Sequence, residues 1–181
     1  LIGEMIKRGR QAIVLIPVLS FSGNRIRIRI VIFAMMIAGL ITILISGFLP
    51  AMAMFVHLGL SPADYPNLQP GASFVHVADM IGLRSGAPYR FDLTRAEGII
   101  TFPSYHAALG MLLMIGPATN RWMRWPFWLL NITMIAATPI DGGHYFVDVA
   151  AGLGIAVGSY FMARRLILGT LPALHGNGLV A

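Results

Sequence analysis

The chain has 181 residues, 57% of them hydrophobic and only 11% charged, with a formal net charge of +6 and no cysteine. That balance excludes an ordinary soluble domain, and the absent thiols exclude disulfide staples and cysteine chemistry. The excess positive charge does not read as a nucleic-acid face, because the arginines flank apolar blocks, where membrane topology and anionic headgroups account for them.

The apolar residues form blocks that approach the ~20 residues needed to cross a bilayer. The predicted fold is therefore all-α, a polytopic transmembrane helical bundle. Residues 1–29 read as a cytoplasmic or interfacial N-terminal segment. It holds Lys7, Arg8 and Arg10, a short apolar run interrupted by Pro17, and then Arg25, Arg27 and Arg29. The chain begins at Leu1 without a signal-peptide layout, so the expectation is an N-terminally incomplete chain, with the run 11–22 an interfacial piece or the remnant of an upstream span.

Residues 30–165 read as the membrane-embedded domain and 166–181 as a C-terminal tail. The first clear span is expected over Ile30–Met54, kinked or ended by Pro50. Prolines, glycines and acidic residues then mark an outer loop, 57–100, with a short interfacial helix over Ser73–Leu83. Further spans are expected over Phe102–Ala118, Phe127–Ile140 and His144–Met162, with a turn at Thr119–Pro126. Placing Arg25, Arg27 and Arg29, then Arg121 and Arg124, then Arg164 and Arg165 in the cytoplasm is consistent with four crossings. The 57–100 loop and the Asp141-Gly142-Gly143 turn then share the outer face.

Two stretches on that face carry the chemistry. Phe102-Pro103-Ser104-Tyr105-His106 opens one apolar segment, and Asp141-Gly142-Gly143-His144-Tyr145-Phe146-Val147-Asp148 opens another. Ionisable groups at membrane depth are costly and mark functional sites. His144 and Asp148, four residues apart, are expected on one helical face. A carboxylate holding one ring nitrogen leaves the other free to attack phosphorus, and His106 across the bundle is placed to protonate the leaving oxygen. Gly142 and Gly143 allow close backbone approach to a ligand, Asp141 reads as a helix cap, and two helix N-termini favour an anion. Ser104 adds a hydroxyl donor. The bland alternatives are a satisfied buried His–Asp pair, an interfacial His106 and a merely capping Ser104. His57, His76 and His175 show no partner pattern, and the tryptophans beside Arg121 and Arg124 read as an interfacial belt.

At these residues the chain resembles the type 2 phosphatidic acid phosphatase superfamily. Pro103-Ser104-Tyr105-His106 is similar to its middle motif, and His144 with Asp148 to the end of its last motif. The run Gly143-His144-Tyr145-Phe146-Val147-Asp148 most resembles the branch containing inositol phosphorylceramide synthase, and the likeness covers roughly residues 30–165. The resemblance implies a phosphohistidine intermediate on His144, oriented by Asp148, with His106 as the acid and Ser104 as a phosphate ligand. It implies no metal and no cofactor.

The chain departs from the family at its basic residues. No motif lysine lies between the first clear span and His106, and Thr138 stands where the last motif carries arginine. Other donors must meet the phosphate, and the loop residue Arg90, then Arg84, is expected to do so ahead of Arg95. The expected function is a lipid phosphatase or phosphotransferase acting on a lipid phosphate, with water or an alcohol such as inositol as acceptor. Membrane lipids are its expected partners and nucleic acid is not. The alternative is a non-catalytic transport or scaffold module that keeps the fold.

Overall fold

A computed structural model describes residues 25–66, 74, 77–90, 101–115, 121–140 and 143–176. Six α-helices lie among them, α1 (Arg25–Phe48), α2 (Met54–His57), α3 (Val77–Arg84), α4 (Tyr105–Ile115), α5 (Arg121–Ile140) and α6 (Phe146–Gly176), with no strand among the described residues. The all-helical expectation holds. Two helical stretches, Arg25–Phe48 and Phe146–Gly169, are long and apolar enough to cross a membrane. The apolar α4 has 11 residues. The 20-residue α5 mixes its apolar positions with Arg, Asn, Thr and Pro and falls short of that test.

Three helices meet in a core of small side chains. Ile30, Ala34 and Ala38 of α1 face Ala108 and Leu112 of α4 and Ala156 and Ala163 of α6. The i, i+4 pair Ala34 and Ala38 puts a low ridge on α1, and small ridges let helix backbones approach where lipid supplies no hydrophobic drive. Tyr105 crosses this contact, donating its hydroxyl to the Met35 carbonyl at 3.1 Å, with its ring laid against Gly39. α5 packs on α4, where Gly110 makes room for Met134 and Ile135, and the Trp128 indole donates to the Met114 carbonyl at 3.1 Å. On the outer side of α1, Ile32, Phe33, Met36, Leu40, Ile43 and Leu44 are exposed. An apolar face of this size turned outward suits lipid rather than water.

Element ends differ from the sequence expectation in three places. α1 runs Arg25–Phe48 rather than Ile30–Met54. The arginines join its first turns, where long stems can follow the helix while their charges reach water. Pro50 disfavours a helical Leu49, so the helix stops early. Helix α5 starts at Arg121, inside the expected turn, and runs through Pro126. Its second proline, Pro139, cannot donate to the Ile135 carbonyl, and the Thr138 hydroxyl donates to that carbonyl instead at 2.6 Å. Finally, α6 begins at Phe146 and continues past Arg165 to Gly176. His144 thus precedes the helix.

The segment around α3 folds back on itself. The Tyr89 ring covers Gly82, and the Tyr89 hydroxyl donates to Asp79 at 2.5 Å. That bond to a carboxylate pushes the Tyr89 phenol above its ordinary value. Asp141, Gly142, Arg95 and His76 lie outside the described residues, as do the N-terminal run 1–24 and the end of the tail.

Candidate active site

The site forms where the turn before α4 is seated on the first turns of α6. The Ser104 N–H donates to the Asp148 carbonyl at 3.0 Å. Gly152, one turn further along α6, leaves the notch that admits it. A Cβ at Gly152 would lie 2.1 Å from the Ser104 carbonyl oxygen, so no larger residue fits without moving the turn. With a rise of ~1.5 Å per residue, the notch lies about 9 Å below the start of α6. The seat is therefore recessed. The Phe102–Pro103 bond is cis.

Ser104 is fully buried and caps α4, its Oγ accepting from the Ala107 N–H at 3.3 Å. That meets one of the free N–H groups of the helix start and leaves those of Tyr105 and His106 without an intrahelical acceptor. His106 stands in the first turn, and its ring is exposed.

His144 is buried, at 8% exposure, and faces His106 with ring centroids 6.3 Å apart. Its Nδ1 lies 2.7 Å from the Thr101 carbonyl oxygen and 3.6 Å from Asp148 Oδ2. A carbonyl only accepts, so Nδ1 carries the proton and Nε2 keeps its lone pair. The nearer partner is thus a backbone carbonyl, and the carboxylate is the more distant one.

Asp148 is occupied elsewhere. Its Oδ2 accepts the Tyr145 N–H at 2.8 Å, while its own N–H returns to the Tyr145 carbonyl at 3.0 Å. This is the acidic half of a capping box, with Tyr145 as N-cap and Asp148 three residues in. The expected common helical face is replaced by this arrangement, in which His144 sits one residue outside the cap. Asp148 is nearly fully buried and holds the turn that presents His144.

Gly143 has open space where a Cβ would lie. Arg84 closes α3 and Arg90 follows Tyr89. Both are exposed, and neither makes an ion pair or hydrogen bond among the described residues. Thr138, at the family's arginine position, is committed to the Ile135 carbonyl.

Three partners escaped the sequence reading. Thr101 carried no signal beyond its place two residues before Pro103. His57, at the end of α2, meets Tyr145 with Nδ1 2.6 Å from the hydroxyl and the rings edge to face. Nothing local to His57 announces a residue 88 positions away. Gly152 was legible in principle, since His144, Asp148 and Gly152 recur at intervals of four. No group of three or more candidate metal ligands occurs among the described residues.

Neither a curated protein nor a solved structure shows a significant match to this chain. The sequence model of the PAP2 superfamily matches residues 10–162, which includes both histidine motifs, all of α4, and α6 as far as Met162. On that match the chain belongs to the PAP2 superfamily, whose members are generally phosphatases or phosphotransferases.

Proposed function

We propose that this protein is a membrane lipid phosphatase or phosphotransferase that works through a phosphohistidine on His144. The observation that carries the reading is the tautomer. A buried imidazole with Nδ1 bound to the Thr101 carbonyl keeps Nε2 free of that bond, and a second histidine lies 6.3 Å away, centroid to centroid. A phosphate between the rings reaches near-attack distance of ~3–3.5 Å from one and hydrogen-bond distance from the other.

In the first step Nε2 of His144 forms a bond to phosphorus, and the bond from phosphorus to the lipid oxygen breaks. His106, protonated, gives its proton to that oxygen. In the second step neutral His106 takes a proton from water or an alcohol, whose oxygen attacks phosphorus and releases His144. Water completes a phosphatase and an alcohol completes a transferase. Ser104, Gly143 and the free N–H groups at the start of α4 are the proposed phosphate seat, with Arg90, then Arg84, brought over it from the outer loop.

The run from Gly143 to Asp148 favours the inositol phosphorylceramide synthase branch, hence an alcohol acceptor such as inositol. The arginine clusters favour a multi-pass chain whose site faces the outer side. Single cysteines at Ser85 and Thr119, probed with an impermeant thiol reagent in intact cells, test that orientation. Labelling is expected at Ser85 alone, and the reverse pattern inverts it.

The direct test gives purified full-length protein a panel of lipid phosphates and phospholipids, with and without inositol, and scores free phosphate against transferred headgroup. His144→Ala is expected to abolish both products. Arg90→Lys is expected to impair them, because lysine lacks the bidentate fork. No product from any substrate, with His144→Ala indistinguishable from wild type, favours the non-catalytic reading, which the missing family lysine and arginine already support.

A further inference from the structure

We infer that the Thr101 hydroxyl is a phosphate-binding donor of this site. The inference rests on the phosphoryl-transfer reading and deepens it. Thr101 is 97% buried by its 3% exposure, and its Oγ1 has no hydrogen-bond partner among the described residues. A buried hydroxyl without a partner is destabilising and calls for an explanation.

Two other hydroxyls share that state, Thr42 and Ser159. They lie inside α1 and α6, where a carbonyl of the preceding turn is within reach of one side-chain rotation. Thr101 lies in no helix. Its surroundings are the site itself. The Thr101 carbonyl holds His144 at 2.7 Å, and only three covalent bonds separate Oγ1 from that carbonyl carbon. The hydroxyl is thus carried by the residue that holds the proposed nucleophile in place.

The chemistry of the pocket gives it a ligand. A phosphate group presents several acceptor oxygens, and this chain lacks the lysine and the arginine that its superfamily motifs bring to them. Thr138, at the arginine position, spends its hydroxyl on the Ile135 carbonyl. Ser104 Oγ already accepts from Ala107. Thr101 Oγ1 is a buried donor with no acceptor among the described residues, and a phosphoryl oxygen is the acceptor that completes it. One residue then fixes the nucleophile through its carbonyl and the electrophile through its side chain.

The test compares Thr101→Val and Thr101→Ser with wild type and His144→Ala in the full-length protein. It reads turnover of dioctanoyl phosphatidate in mixed micelles, inhibition by orthovanadate, and melting temperature. Valine keeps the shape and the carbonyl while removing the hydroxyl. It is expected to leave melting unchanged or raised, and to raise both KM and the orthovanadate inhibition constant about tenfold or more, the scale of a hydrogen bond to a charged group. Serine is expected to restore both. Should valine fail to fold, Thr101→Ala carries the same expectation. If wild type is active, His144→Ala is dead, and the valine or alanine variant keeps wild-type KM and inhibition, the inference falls and the phosphoryl-transfer reading stands. If wild type neither turns over the phosphatidate nor gains melting temperature with orthovanadate, that reading falls and the inference with it.

Discussion

The seat between α4 and α6 and the segment around α3 differ in how they hold their polar groups. At the seat, Ser104, Asp148 and His144 are buried, and each is tied to a neighbour through backbone N–H or carbonyl groups. In the α3 segment, Asp79, Tyr89, Arg84 and Arg90 are exposed, and the Tyr89–Asp79 bond links residues only ten apart. The contrast teaches where geometry is prepaid. His144 is held by the bundle, so as the proposed nucleophile it needs little reorganisation at the moment of reaction. The loop arginines are free of competing ion pairs among the described residues, which suits groups that close on a bound phosphate.

The largest expected effect comes from filling the notch. Gly152→Ala puts a methyl 2.1 Å from the Ser104 carbonyl oxygen, a backbone atom that must move. Overpacking of this kind costs ~1–3 kcal/mol, and a displacement near 1 Å in a catalytic group costs about 10²-fold in rate. Melting temperature and kcat should fall together in this variant. An active Gly152→Ala enzyme would mean that the turn is not held as rigidly as the contact requires.

Asp148 sharpens the comparison from within the seat. Where a carboxylate alone sets the tautomer of a catalytic histidine, its amide costs about 10⁴-fold. Here the Thr101 carbonyl sets it, and the side-chain carbonyl of an asparagine in place of Asp148 would still accept the Tyr145 N–H. Asp148→Asn should therefore lose only the carboxylate charge near His144, on the order of 10–10²-fold. Asp148→Ala should lose more, because the Tyr145 N–H then has no acceptor. Equal losses in the two variants would return the orienting role to the carboxylate.

The smallest effect is expected where α2 touches the seat. Tyr145→Phe removes the bond to His57, an exposed contact. Its loss should change activity by no more than about tenfold, matching the ~0.5–1.5 kcal/mol of a neutral hydrogen bond. A greater loss would make α2 part of the machinery rather than its cover.

What the sequence revealed follows the range of the interactions. Blocks of apolar residues gave the helices, and fixed local spacing in Pro103-Ser104-Tyr105-His106 and in His144 with Asp148 singled out residues that the fold does bring together. Partners brought from far along the chain were not legible. Thr101 reaches His144 across 43 positions and His57 reaches Tyr145 across 88. Even the local reading of Asp148 was incomplete, since the i, i+4 spacing of His144 and Asp148 suits both a shared helix face and a histidine one residue outside a capping box. The helix start at Phe146 decides between them.

The account stands on a covalent bond from phosphorus to His144. Purified protein would be mixed with a phosphatidate carrying ³²P, quenched in alkali within a turnover, and digested to locate the label. The expected result is alkali-stable label on the peptide containing His144 in wild type and none in His144→Ala. Turnover of the same lipid with no label on that peptide, undiminished in the His144→Ala protein, would contradict it.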